Sequence, residues 1–206
     1  MRNILKMAVF WMLSLGMVLS CTPQKPAKKV SKIQAAKDFQ YQLNLEFADK
    51  EKSPLDSIDF VQFRQLDFFP VSAKYIVTAS FEKNEYPSPF AMSTSTDRKA
   101  LYQKYGTLHF TLNGQNLSLA VYQDLEPDEA YKDYLFVPFT DQTNGEETYG
   151  GGRYIDLKQP LGAVVTLDFN QAYNPYCAYS HRWSCVIPPK ENDLKVAVKA
   201  GVKKFH

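Results

Sequence analysis

The chain has 206 residues and 23.6 kDa, of which 45% are hydrophobic, 22% charged and 14% aromatic. That balance belongs to a folded domain with a sizeable core, and it excludes a disordered tail, a collagen-like chain and a polytopic membrane protein. The net charge of +2 rests on Arg2 and Lys6; beyond residue 20, 22 basic residues face 22 acidic ones, which leaves no basic footprint for nucleic acid.

Residues 1–20 read as a sorting signal. Arg2 and Lys6 form a positive start, and residues 7–19, MAVFWMLSLGMVL, form an apolar stretch too short to span a bilayer comfortably. It runs into Val18-Leu19-Ser20-Cys21, which resembles the lipobox of bacterial lipoproteins: an aliphatic residue, a tolerated one, a small one, then Cys. The expectation is cleavage before Cys21 and acylation of that residue. Two or more acyl chains make anchoring stable where one would be marginal. Thr22 follows, not Asp, which in enterobacterial sorting resembles an outer-membrane destination. Residues 21–32, with Pro23, Pro26 and four lysines, read as the lipidated Cys and a flexible tether. Residues 33–206 form a single domain.

Ile33, Ala36, Gln40, Leu43 and Phe47 lie near one helical stripe, with Phe39 and Leu45 widening it. They predict a helix over 33–50, capped by Ser31 and stopped by Ser53-Pro54. A short helical turn is expected within 56–63. The period then becomes two. Strands are predicted at 74–82, 99–105, 106–112 and 117–121, with Asn113-Gly114 as a hairpin signal between the last two. Further strands are expected at 134–139, 152–157, 163–169 and 194–199. The fold class is mainly β: an antiparallel barrel or sandwich of about seven or eight strands with an N-terminal helix.

Residues 136–192 stand apart. Four of the nine glycines fall at 145–152 and five of the thirteen tyrosines at 149–179. Gly150-Gly151-Gly152 precedes Arg153 but is no phosphate loop, because Gly-Lys-Ser/Thr is missing and no helix pattern follows. Arg153 could clamp a carboxylate or phosphate, or pair internally with Asp141, Glu147 or Asp168. Asp141, Glu146, Glu147, Asp156, Asp168 and Glu191 are many acids for one segment, and Asp141, Glu147 and Asp168 are the candidate catalytic group. Arg153, Tyr154, Asn170, Asn174 and Tyr176 are the candidate ligand-binding group. Tyr173, Tyr176, Tyr179 and Trp183 could form an aromatic platform or cap a core. Cys177, His181 and Cys185 have helical spacing, yet Pro175 opposes a long helix and a fourth zinc ligand is missing. No metal site or cofactor is expected. With Cys21 lipidated, Cys177 and Cys185 remain as an even pair, expected to form a disulfide in an oxidising compartment.

The elements VPFTDQTNGEETYGGGRYID, LDFNQAYNPYCAYS and WSCVIPPKEN resemble the signature of a bacterial and archaeal domain-of-unknown-function family, number 1684. The resemblance covers roughly residues 33–202. Val186-Ile187 stands where the family usually has Pro-Leu. The resemblance implies an exported single domain with 136–192 as its shared feature, and supplies no mechanism. The function expected from the sequence is a membrane-anchored envelope module that binds a small molecule or glycan or serves structure. The alternative is a hydrolase of envelope or nutrient polymers. Its membrane partner would be lipid through acylated Cys21, with no nucleic-acid partner.

Overall fold

The computed structural model describes residues 31–206, so the sorting signal, Cys21 and all but the last two tether residues lie outside the described residues. Helix α1 (Lys32–Ala48) opens the domain. Ser31 caps it as expected, its hydroxyl accepting from the Gln34 amide at 3.1 Å. Ala36 and Phe47 are its buried residues, while Leu45 faces solvent. Helix α2 (Ser57–Gln62) is a single short turn.

The strands are β1 (Ile76–Lys83), β2 (Pro89–Met92), β3 (Ala100–Leu112), β4 (Gln115–Asp124), β5 (Tyr134–Phe139), β6 (Arg153–Lys158) and β7 (Val164–Asp168). All pair antiparallel in one sheet of order β6-β5-β4-β3-β1-β7, with β2 beside β3, and the sheet curls into a half-barrel. The two strands expected at 99–105 and 106–112 are one strand, β3, whose register against β4 shifts between Lys104 and Gly106. Asn113 and Gly114 turn the β3–β4 hairpin with φ of 53° and 77°, as a two-residue turn of this hand requires.

Alternation sorts the side chains between two cores. The inner one holds Leu108, Phe110, Leu119, Val121, Leu135, Val137, Phe139, Ile155, Leu167 and Phe169. On the opposite face, Tyr102, Ala120, Tyr122 and Tyr154 pack with Met92 and Val186. A third cluster ties α1 to the C-terminus through Phe47, Leu66, Tyr179 and Val202.

The strand expected at 194–199 does not form. Leu194, Val196 and Val198 alternate inward as a strand would, and all three are buried. Their backbone partners, however, lie on the loop after β5. The Leu194 amide donates to Thr140 O at 2.8 Å, and the Gln142 amide donates to Val196 O at 3.1 Å. The segment is an extended strap that meets the loop at 140–142 and Arg153.

Candidate functional site

Arg153 begins β6 with its side chain turned into the barrel end, where it is fully buried. Its guanidinium donates to Asp141 Oδ2 at 2.8 Å and to the carbonyls of Val198 (2.8 Å), Ala200 and Val202 (3.4 Å). Three alternate carbonyls of the strap thus converge on one cation. Asp141 Oδ1 closes the circuit by accepting from the amides of Thr143 (2.9 Å) and Val198 (3.1 Å). Gly152 sets the approach. Its φ is +90°, and a Cβ there would lie 2.6 Å from Phe139 O.

The expected Arg153 pairing is therefore with Asp141, and it is a core element. Arg153 is fully buried and spends its guanidinium on Asp141 and the strap carbonyls. The three acids nominated for catalysis serve three separate structural purposes. Asp141 holds Arg153. Glu147 is exposed and meets Lys199 at 2.9 Å. Asp168 accepts from the Asn170 amide at 2.9 Å, from Asn170 Nδ2 at 2.7 Å and from Gln171 Nε2 at 3.1 Å.

Two of the nominated binding residues are likewise structural. Asn170 is buried and clamps Ser72, accepting from its amide at 2.9 Å and donating to its carbonyl at 3.0 Å. Asn174 donates to Lys203 O at 3.0 Å. Both close loops across nearly a hundred or about thirty residues of chain, work that a turn residue's local pattern does not reveal.

Tyr154 and Tyr176 lead to a different place. They line a cleft of about 470 Å³ on the outer face of the sheet. Its floor is Tyr154 and Asp156 of β6, with Phe136 and Tyr134 of β5 and Tyr102 of β3 alongside. Phe39, Leu43 and Glu46 of α1 form one wall, and Tyr173, Tyr176, Trp183 and Cys185 form the other. The rings interlock. Phe136 meets Tyr154 edge to face at 4.6 Å, and Trp183 tilts against Tyr176 at 5.2 Å.

Asp156 is the ionisable group at the floor. Its carboxylate accepts from the Tyr173 hydroxyl at 2.9 Å. Surrounding rings desolvate it from the sides and raise its pKa to about 6, while the Tyr173 hydrogen bond opposes the rise. Asp156 is packed about by its neighbours yet exposed by surface area, open to solvent through the cleft mouth. Opposite, Tyr176 donates to Glu46 Oε1 at 3.2 Å. Reasoning from sequence passed over Asp156 and Glu46 as site residues. The available signal was the period of two in β6, which places Tyr154 and Asp156 on one face opposite Arg153.

Cys177 and Cys185 are neighbours at the edge of the cleft. The expected disulfide is not formed in this structure: both are free thiols, with the Cys177 amide donating to Cys185 Sγ at 3.1 Å. The contact between the two thiols holds Cys177 below the usual thiol range and pushes Cys185 above it. Among the described residues, no group of three or more His, Cys, Asp or Glu is placed to hold a metal ion, and no helix is long and apolar enough to cross a membrane.

Fold and cleft together define a curled antiparallel β half-barrel with an aromatic pocket on the face opposite its main core. Residues 61–203 match the family described as protein of unknown function, DUF1684, and the chain belongs to that family. The matched region holds every strand and the whole segment 136–192, while α1 lies before it. Among solved structures, the chain is similar to the solution NMR structure of an uncharacterized protein from gene locus rrnAC0354 of Haloarcula marismortui. The two are 34% identical, the match covers 82% of this chain and 92% of that one, and the TM-score is 0.66. No curated protein matches the chain.

Proposed function

We propose that the protein is an envelope lipoprotein, anchored in the outer membrane through acylated Cys21, whose β domain binds a small ligand in the outer aromatic cleft. The anchoring rests on the signal at residues 1–21. The binding rests on one observation above the rest. A cleft of about 470 Å³ gathers rings from α1, β3, β5, β6 and the 173–185 segment around a carboxylate, Asp156, that accepts from the Tyr173 hydroxyl. Its size and make-up suit a small-molecule site, apolar walls with a few placed polar groups. A carboxyl whose raised pKa costs the fold stability once it ionises is the kind of feature retained for binding.

Two experiments test the two halves. Detergent partitioning with mass spectrometry of the N-terminus should find a mature chain beginning at acylated Cys21, and Cys21→Ala should remain an uncleaved, unlipidated precursor. A mature chain starting elsewhere contradicts the anchor. For the cleft, ligand-observed NMR with a panel of small cations, neutral amphiphiles and monosaccharides should find at least one binder that Tyr176→Ala removes. Binders indifferent to Tyr176→Ala would place the site elsewhere.

A further inference from the structure

Resting on that reading of the cleft, we propose that its ligand presents an ammonium cation, seated between the aromatic rings and held by Asp156 and Glu46. The hydrogen-bonding inventory points this way. The donors lining the cleft are already spent on the protein. Tyr154 donates to Val186 O, Tyr173 to Asp156, and Tyr176 to Glu46. The Trp183 indole donates to Pro54 O at 3.0 Å, and the Ser184 hydroxyl is engaged with Thr94 and Thr96. Among the described residues, Tyr131 and Tyr134 at the mouth keep hydroxyls without a hydrogen-bond partner, and the Tyr102 hydroxyl faces Asp124.

What remains inside is acceptors and π faces. Asp156 gives one oxygen to Tyr173 and Glu46 one to Tyr176, which leaves a second oxygen on each carboxylate. No Lys, Arg or His lines the cleft, and neither acid has an ion-pair partner among the described residues. A sugar asks its site for donors as well as acceptors, and this site has few to give. A cation asks for carboxylates and ring faces, which is what is left.

The rims show the same preference. Lys158 Nζ lies 4.8 Å from the Tyr134 ring, and the Arg182 guanidinium 5.0 Å from the Trp183 ring. Both cations are exposed and stand outside the lining, and Arg182 is also held by the carbonyls of Ser53 and Leu55. The Tyr134 ring therefore already takes a protein cation on its face.

The test compares choline with 3,3-dimethylbutan-1-ol, which has the same shape without the charge, and with glucose. The full chain is titrated with each, and the indole N–H signal of Trp183, assigned through Trp183→Phe, reports occupancy. The expected result is a shift with choline, binding about tenfold tighter than the alcohol, and a loss of about tenfold in Asp156→Asn. Glu46→Gln should weaken choline as well and leave the alcohol unchanged. Equal binding of choline and the alcohol, or unchanged choline binding in both acid variants, overturns the cation. A shift with the alcohol or glucose and none with choline also overturns it, yet leaves the cleft standing as a site. A Trp183 signal unmoved by all three overturns the cation and the cleft together.

Discussion

Tyr154 and Tyr173 exchange a pair of backbone hydrogen bonds, at 2.9 and 3.0 Å, and set their rings at right angles with centroids 5.8 Å apart. Tyr154 belongs to β6, one end of the sheet order, and Tyr173 follows β7, the other end. This single bridge brings the two ends of the curled sheet together. It also fixes the cleft, because it aims the Tyr173 hydroxyl at Asp156, two residues from Tyr154 on the same strand face.

Tyr173→Phe tests that relationship. The hydroxyl stabilises ionised Asp156, so its removal should move the Asp156 titration upward from about 6. Carboxyl-detected NMR across pH 4–9 measures it. An Asp156 midpoint that stays put or falls would mean the hydroxyl does not hold the carboxylate.

Asp156 itself should cost the fold stability once ionised. Its folded pKa of about 6 lies above the ordinary 3.8, so the folded state holds the proton more tightly than the unfolded chain. The wild type therefore loses stability from this group as pH rises from about 4 to about 6, and the loss is complete above that window. Asp156→Asn lacks the term. Its melting temperature relative to wild type should rise across pH 4–6 and level off above 7. A difference that is flat with pH, or that runs the other way, contradicts the burial.

The Arg153–Asp141 pair should behave as core. Arg153→Ala strands a buried carboxylate and three strap carbonyls, and Asp141→Ala strands a buried guanidinium. Each should cost about 3–5 kcal/mol in chemical denaturation. The double variant should cost much less than the two together, since each single change already loses the pair. Additive losses would show that the two residues act independently.

Cys177 and Cys185 should join in the oxidising compartment where the anchor would place the domain. Closing their nine-residue loop contributes about 2.5 kcal/mol by the chain-entropy relation. Thiol labelling of native, unreduced protein should modify neither residue, and both after reduction. Full labelling without reductant would show that the pair stays reduced.

Local signals in the sequence carried far. Ser31 before a helical stripe located α1, Asn113-Gly114 located the central hairpin, and the strand expected at 134–139 is β5 with its bounds. Signals that depend on distant partners did not. Val196 and Val198 alternate like a strand, yet their backbone groups meet Gln142, Asp141 and Arg153 in place of a neighbouring strand. Asp141, Glu147 and Asp168 look alike along the chain and differ only in what folds against them. The cleft is harder still, since Glu46 and Tyr176 meet across 130 residues. Which tyrosines face it depends on which side of each strand the inner core takes.

The central claim is that the aromatic cleft is the working site and the Arg153 group is scaffold. Thermal melts and Trp183-indole titrations with choline, run in parallel on Tyr176→Ala and Arg153→Met in the full chain, separate the two directly. Tyr176→Ala should melt within a few degrees of wild type and lose the titration response, because it removes a half-buried cleft wall. Arg153→Met should melt far lower, and below its transition should keep the response. A Tyr176→Ala protein that responds like wild type, or an Arg153→Met protein that melts normally but no longer responds, would contradict the claim.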